Sequence, residues 1–299
     1  MKVHVIDLRF MGKPHAIAAY LLEGPEGWVL IETGPESTRP TLVRGIQEQG
    51  IEPEDLAGVL VTHIHLDHAG AAGWFSKRGV PVYAHPKAVK HIIDPSKLVG
   101  SARHVYGSQF DLLWGHTVPG KESNVHAVED GETVHVGGIP IEAMSTPGHA
   151  FHHHAYFIGN AAFVGDTAGA RISKEEYTSV TSAPPQFHLE SYLESIDKLL
   201  NRSITSLFLT HFGRVDYPRE HLKAYREAVE LNALFVRQRV EEGMDEESLR
   251  IAYQAFQFEQ AFRYNLPREV WDTLETINGT DMCADGMRLY WEKRLEEGT

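Results

Sequence analysis

The 299-residue chain is 42% hydrophobic and 23% charged, the composition of an ordinary globular protein with enough length for a sizeable core. Asp and Glu number 41 against 28 Lys and Arg, a formal charge of −13, which argues against nucleic acid or an anionic membrane as partner and favours a small-molecule substrate. The lone cysteine, Cys283, excludes an internal disulfide, the opening MKVHVIDLRF alternates like a strand rather than a signal peptide, and no apolar run approaches the roughly 20 residues of a spanning helix, so a cytoplasmic location is expected.

Residues 3–8, 16–22 and 28–31 read as strands, the last two joined by a Gly- and Pro-containing turn. A helix is expected over 41–49, stopped at Gly50, and then a buried strand over 59–61. Asp67 onward can open another helix, and 81–84 is a short strand. Residues 86–126 hold Pro95, Gly100, Gly107, Gly115 and Pro119, which suggests a long irregular insertion over a site. Strands resume at 133–136, 139–145, 155–158, 161–164 and 206–210. Beyond residue 218 the spacing turns helical over 221–240, 246–262 and 267–276, with Gly243 and Gly279 as breaks. This sets a β-rich domain at 1–218 and a helical extension at 219–299, packed on it as a stabilising or dimerising cap.

The most informative stretch is Val59–Gly70, VLVTHIHLDHAG, which places His63, His65, Asp67 and His68 within six residues directly after an apolar strand. Three imidazoles and a carboxylate in one small volume suit a metal ion, since neutral imidazole and carboxylate oxygen both ligate zinc, iron and related ions. An H-x-H alone is weak; here further groups follow. Apolar runs also end at His149, Asp166 and His211, so each ligand group follows a strand-like segment, where α/β folds gather their chemistry.

The series His63-Ile64-His65-Leu66-Asp67-His68, Thr146-Pro147-Gly148-His149, Gly165-Asp166 and Thr210-His211 resembles that of the metallo-β-lactamase superfamily over about residues 1–215. His85-Pro86, Asp94-Pro95-Ser96-Lys97-Leu98 and Val105-Tyr106-Gly107 resemble an archaeal and bacterial branch of its metallo-hydrolases. The resemblance implies an α/β fold, the four-layer αββα sandwich, here with a helical C-terminal extension. It assigns His63, His65 and His149 to one divalent ion, and Asp67, His68 and His211 to a second, with Asp166 bridging. Zinc is the first expectation, iron or manganese the alternatives. Metals held about 3.5–4 Å apart can trap a hydroxide at neutral pH, which Asp67 could orient and whose proton it could pass on.

The expected activity is hydrolysis of a small ester, thioester or lactone. An iron-dependent redox enzyme resembling persulfide dioxygenases, or a phosphodiesterase or nuclease, would use nearly the same ligands. Tyr106 is a candidate substrate contact, with His104 and Trp114 as weaker ones. His152, His153 and His154 follow a ligand closely enough to orient it or line the pocket. Glu32 stands where the family usually carries Asp, which leaves its role open. A homodimer, through the helical tail, is the expected protein partner.

Overall fold

Alternating apolar residues in the first 31 positions build an antiparallel meander of β1 (Val3–Asp7), β2 (Ala18–Gly24) and β3 (Gly27–Ile31), with Val3 opposite Leu22 and Tyr20 opposite Ile31. The computed structural model describes residues 2–174 and 176–298. These fall into two compact units, one of residues 1–145 with 152–165, the other of residues 146–151 with 166–299.

In the first unit the meander leads through α1 (Arg39–Gln47) into three strands that add in parallel, β4 (Leu56–Leu60), β5 (Val82–Ala84) and β6 (Val125–Ala127). Ile31 lies beside Leu60, and Leu60 beside Tyr83. The carboxyl ends of three neighbouring strands therefore share one edge of the sheet. That edge receives Glu32, the histidine run and His85, as strand-end chemistry in α/β sheets requires. Between β4 and β5 run the short helices α2 (Leu66–Ala69) and α3 (Ala72–Lys77).

Residues 86–126, expected to be irregular, are mostly helical: α4 (Pro86–Ile93), α5 (Ser96–Tyr106) and α6 (Phe110–Trp114). Pro86 occupies the first helical position of α4, and the His85 ring accepts the Lys87 N–H at 3.0 Å. Gly107 and Gly115, at φ 51° and 70°, follow the last residues of α5 and α6. The glycines that suggested loop are helix stops.

A second, antiparallel sheet in this unit runs β10 (Ala161–Gly165), β9 (His154–Ile158), β8 (Ile139–Ser145), β7 (Thr133–Val136). The two sheets close over an apolar interior. Tyr20 meets Phe163 edge-on at 5.3 Å between ring centres, and the buried Tyr156 hydroxyl donates to the Val61 carbonyl at 3.0 Å.

The second unit holds α7 (Leu189–Leu200), the hairpin of β11 (Ser206–Leu209) and β12 (Gly213–Val215), and four helices: α8 (Pro218–Glu241), α9 (Glu246–Arg263), α10 (Arg268–Ile277) and α11 (Thr280–Glu297). α11 packs on both α8 and α9, and α7 packs on α8. A buried polar network ties three of its segments: Tyr253 and Gln257 both donate to the Asn232 side chain, and Tyr177 donates to Gln257 at 2.9 Å. Cys283 is buried, its thiol 3.3 Å from the Val180 carbonyl, and burial raises its pKa to about 11. That leaves it inert. No helix among the described residues is long and apolar enough to cross a membrane.

Candidate metal centre

The first unit contributes four ligand candidates from one turn of chain. Just past β4, His63 is wholly buried and His65 half-buried; α2 then carries Asp67 and the wholly buried His68. Their rings are crowded, with His63 4.5 Å from His65 and 4.0 Å from His68 between centres. Glu32, leaving β3 with φ 66°, holds this run in place. Its carboxylate accepts the Thr62 hydroxyl at 2.5 Å and the Thr62 N–H at 3.3 Å, and meets His68 Nδ1 at 3.0 Å. A carboxylate there fixes the His68 tautomer with its proton on Nδ1, so that Nε2 carries the lone pair. That lone pair faces Asp67 Oδ2 at 3.5 Å.

The second unit repeats the device with a different orienting group. Gly148, at φ 135°, lets the chain pass so close to Tyr192 that a Cβ would overlap its backbone, and this delivers the buried His149. His149 Nδ1 lies 3.1 Å from the Thr181 carbonyl, which can only accept, so Nε2 again carries the lone pair. Nε2 faces Asp166 Oδ2 at 3.2 Å, and His211 Nε2 lies 3.6 Å from the other oxygen, Asp166 Oδ1. The Asp166 backbone is anchored in turn, its carbonyl accepting the Thr181 hydroxyl at 2.9 Å and the Tyr192 hydroxyl at 2.7 Å.

At His68–Asp67 and at His149–Asp166, a nitrogen lone pair is turned toward a carboxylate oxygen. Two acceptors repel at such distances unless a cation sits with them, and imidazole nitrogen with carboxylate oxygen is a donor set for zinc, iron or manganese. The residues therefore fit a divalent metal. Among the described residues, all seven expected ligands fall in groups of His and Asp able to hold one.

Of the neighbouring histidines, His153 and His152 lie against His63, with ring centres 4.8 and 6.2 Å away. His154 turns instead to His85, 4.5 Å between rings, and burial, with His85 adding to it against the pull of Asp130, lowers its pKa to about 3. Tyr106 is half-buried at the end of α5 with its ring edge-on to Trp114 at 5.1 Å, and Trp114 stacks on Phe10. His104 is exposed. Thr181 and Tyr192 escaped the sequence reading because their service is a carbonyl and a backbone anchor, which no residue type announces. Thr62, next to the first ligand, was the one with a positional signal.

The family model of the metallo-β-lactamase superfamily matches residues 12–211, the span holding the whole motif series. The chain belongs to that superfamily. It is 27% identical over 189 residues to a metallo-β-lactamase fold-containing protein of Sulfurisphaera tokodaii, covering 58% of this chain and 69% of that one. It is 30% identical over 112 residues to a hydroxyacylglutathione hydrolase of a Shewanella species, covering 38% of this chain and 34% of that enzyme. The crystal structure of a metallo-β-lactamase family protein from Thermus thermophilus matches with a TM-score of 0.69 over 99% of this chain and 94% of that one, at 19% identity, a likeness of fold. The fold class is the expected αββα sandwich with a helical C-terminal region.

Proposed function

We propose that the chain is a metal-dependent hydrolase acting on a small ester, thioester or lactone. The observation that carries this is the pair of oriented imidazoles, His68 by Glu32 and His149 by the Thr181 carbonyl, each turned toward a carboxylate. In this reading His63, His65 and His149 hold one ion, Asp67, His68 and His211 hold a second, and Asp166 lies between them, zinc being the first choice of metal. A divalent ion held by these residues would supply Lewis acidity for a carbonyl oxygen and for a water whose pKa it would lower toward about 7, so no Ser or Cys nucleophile would be needed.

The chain's own groups then divide the work. Glu32 and the Thr181 carbonyl hold the ligand rings in one tautomer and one direction. Asp67, whose side chain is 16% exposed where His63 and His68 are buried, is placed to take the proton of the attacking water and return it to the departing oxygen or sulfur. Likeness to a hydroxyacylglutathione hydrolase favours the thioester within this class. The acidic balance of the whole chain disfavours a nucleic-acid substrate. Tyr106 is assigned to the substrate side.

The test is elemental analysis of protein purified without added metal, followed by a panel of esters, thioesters and lactones. His65→Ala and Asp166→Ala should lose bound metal and fall to the turnover of chelator-treated protein while keeping their circular dichroism. Tyr106→Phe should keep its metal and raise KM. Full activity in a metal-depleted His65→Ala would end the assignment.

A further inference from the structure

His221 and Tyr225 stand four apart on α8 and so share one face of the helix, and both are buried. That face meets the stretch of chain that follows Asp166. His221 Nε2 lies 2.9 Å from the Ala168 carbonyl. The Tyr225 ring fills the place a side chain at residue 169 would take. Gly169, at φ 77°, has no Cβ to meet it, and the phenol passes this backbone to reach Thr181.

The direction of each hydrogen bond from there is settled by the two ends of a chain. The Thr181 N–H can only donate, and it points at the Tyr225 oxygen at 3.3 Å. The Asp166 carbonyl can only accept, and it takes the Tyr192 proton at 2.7 Å. The 2.8 Å contact between the two phenols is therefore made with the Tyr225 proton. Three bonds run head to tail from Thr181 to Asp166 through side chains that are wholly buried, where each bond strengthens the next.

Both ends bear on the metal centre. Thr181 turns the His149 ring with its carbonyl, and Asp166 faces His149 and His211 with its carboxylate. The neighbouring Val180 carbonyl is gripped from the other side by the Asn278 amide at 2.9 Å and the Cys283 thiol at 3.3 Å. The segment that orients His149 is thus held by side chains from beyond residue 218, in a region the sequence suggested only as a stabilising or dimerising cap.

We propose that Tyr225 is a positioning residue of the metal centre, its hydroxyl setting Thr181, and through it the His149 ring, while it sets the Asp166 backbone through Tyr192. The inference rests on reading His149 and Asp166 as metal ligands.

Two measurements test it: competition titration of zinc into metal-stripped protein, and hydrogen exchange of the His149 Nδ1–H, read by NMR with isotope-labelled histidine. Tyr225→Phe keeps the ring and removes one oxygen. It should weaken zinc binding by about tenfold or more and, in the metal-free protein, speed the exchange of the His149 proton. Tyr192→Phe cuts the same chain one link on and should act likewise, the double variant losing less than the two single losses combined. Tyr253→Phe is the control, since it also removes a buried hydroxyl, bonded to Asn232 at 2.6 Å, but one that makes no bond to Thr181. It should lower the melting temperature as Tyr225→Phe does and leave zinc affinity and His149 exchange at wild-type values. The proposal is overturned by a Tyr225→Phe protein with wild-type affinity and exchange, by equal losses in Tyr253→Phe, or by fully additive losses in the double variant. A wild type that takes up no zinc, iron or manganese would instead sink the metal-centre reading, and the exchange rate would still decide whether Tyr225 holds the His149 ring.

Discussion

Glu32 shows how one side chain can set the character of a site it does not itself form. From a left-handed backbone position, costly for any residue but glycine, its carboxylate serves Thr62 and His68 together, thirty and more positions away. In the sequence nothing marks Glu32 as the group that holds the histidine run. Whether the extra methylene still reaches the histidine run depends on the strand register, which no residue type reports. Glu32→Ala should lower metal affinity and turnover by about 10- to 100-fold, the usual cost of removing a group that orients a ligand. Glu32→Gln, which keeps the reach but loses the charge, should fall between it and wild type in a metal titration. A Glu32→Ala protein with wild-type metal affinity would strip the residue of this role. His154 makes a second prediction at this scale. Its pKa falls from 6.5 to about 3 in the fold, chiefly through burial. Above about pH 6.5 it is neutral folded or unfolded and imposes no penalty. As pH drops below that value the unfolded chain takes up a proton that the folded one refuses, so stability is lost progressively toward pH 3. Denaturation of metal-stripped protein at pH 7 and pH 5 should show a smaller loss in His154→Leu than in wild type, and equal losses would refute this.

Elements were legible where one face is apolar and the stops are local. The strands at 133–136 and 139–145 and the helix beginning at Glu246 lie where alternation and spacing put them. The helices α4 to α6 are less legible, because Gly107 and Gly115 suit a loop as well as the end of a helix, and here each closes one. α11 falls within the helical extension expected over 219–299, but its own bounds are not legible from spacing. Its buried residues, Cys283, Ala284, Gly286, Met287 and Tyr290, are interleaved with exposed Leu289 and Leu295, so no single apolar side stands out. Gly286 within it meets the backbone of Ser182 so closely that a Cβ would overlap the Ser182 carbonyl. Alanine is the better helix former by nearly 1 kcal/mol, yet Gly286→Ala should destabilise by about 1–3 kcal/mol, since the obstacle is backbone and cannot turn aside. A melting temperature equal to or above wild type would mean α11 shifts freely.

For the molecule as a whole, the seven expected ligands were readable because they follow four apolar runs, and the family's motif order tied them together. The structure groups four of them in one unit and three in the other, each set with its own orienting partner. What the sequence withheld is what depends on distance: Thr181 and Tyr192 behind Asp166. Nor did it show that the boundary between the units is crossed after residues 145, 151 and 165 rather than once near 218. That interleaving bears on synthesis. A nascent chain that has emerged as far as Ser145 possesses β8 but not β9, which covers its flank, and so presents the open edge of a sheet with unpaired amides and carbonyls. The amino-terminal half cannot be completed on the ribosome until the stretch ending at Gly165 has followed it out, and a fragment truncated at 145 should be captured by chaperones or aggregate, where one ending at a simple domain border would stand alone.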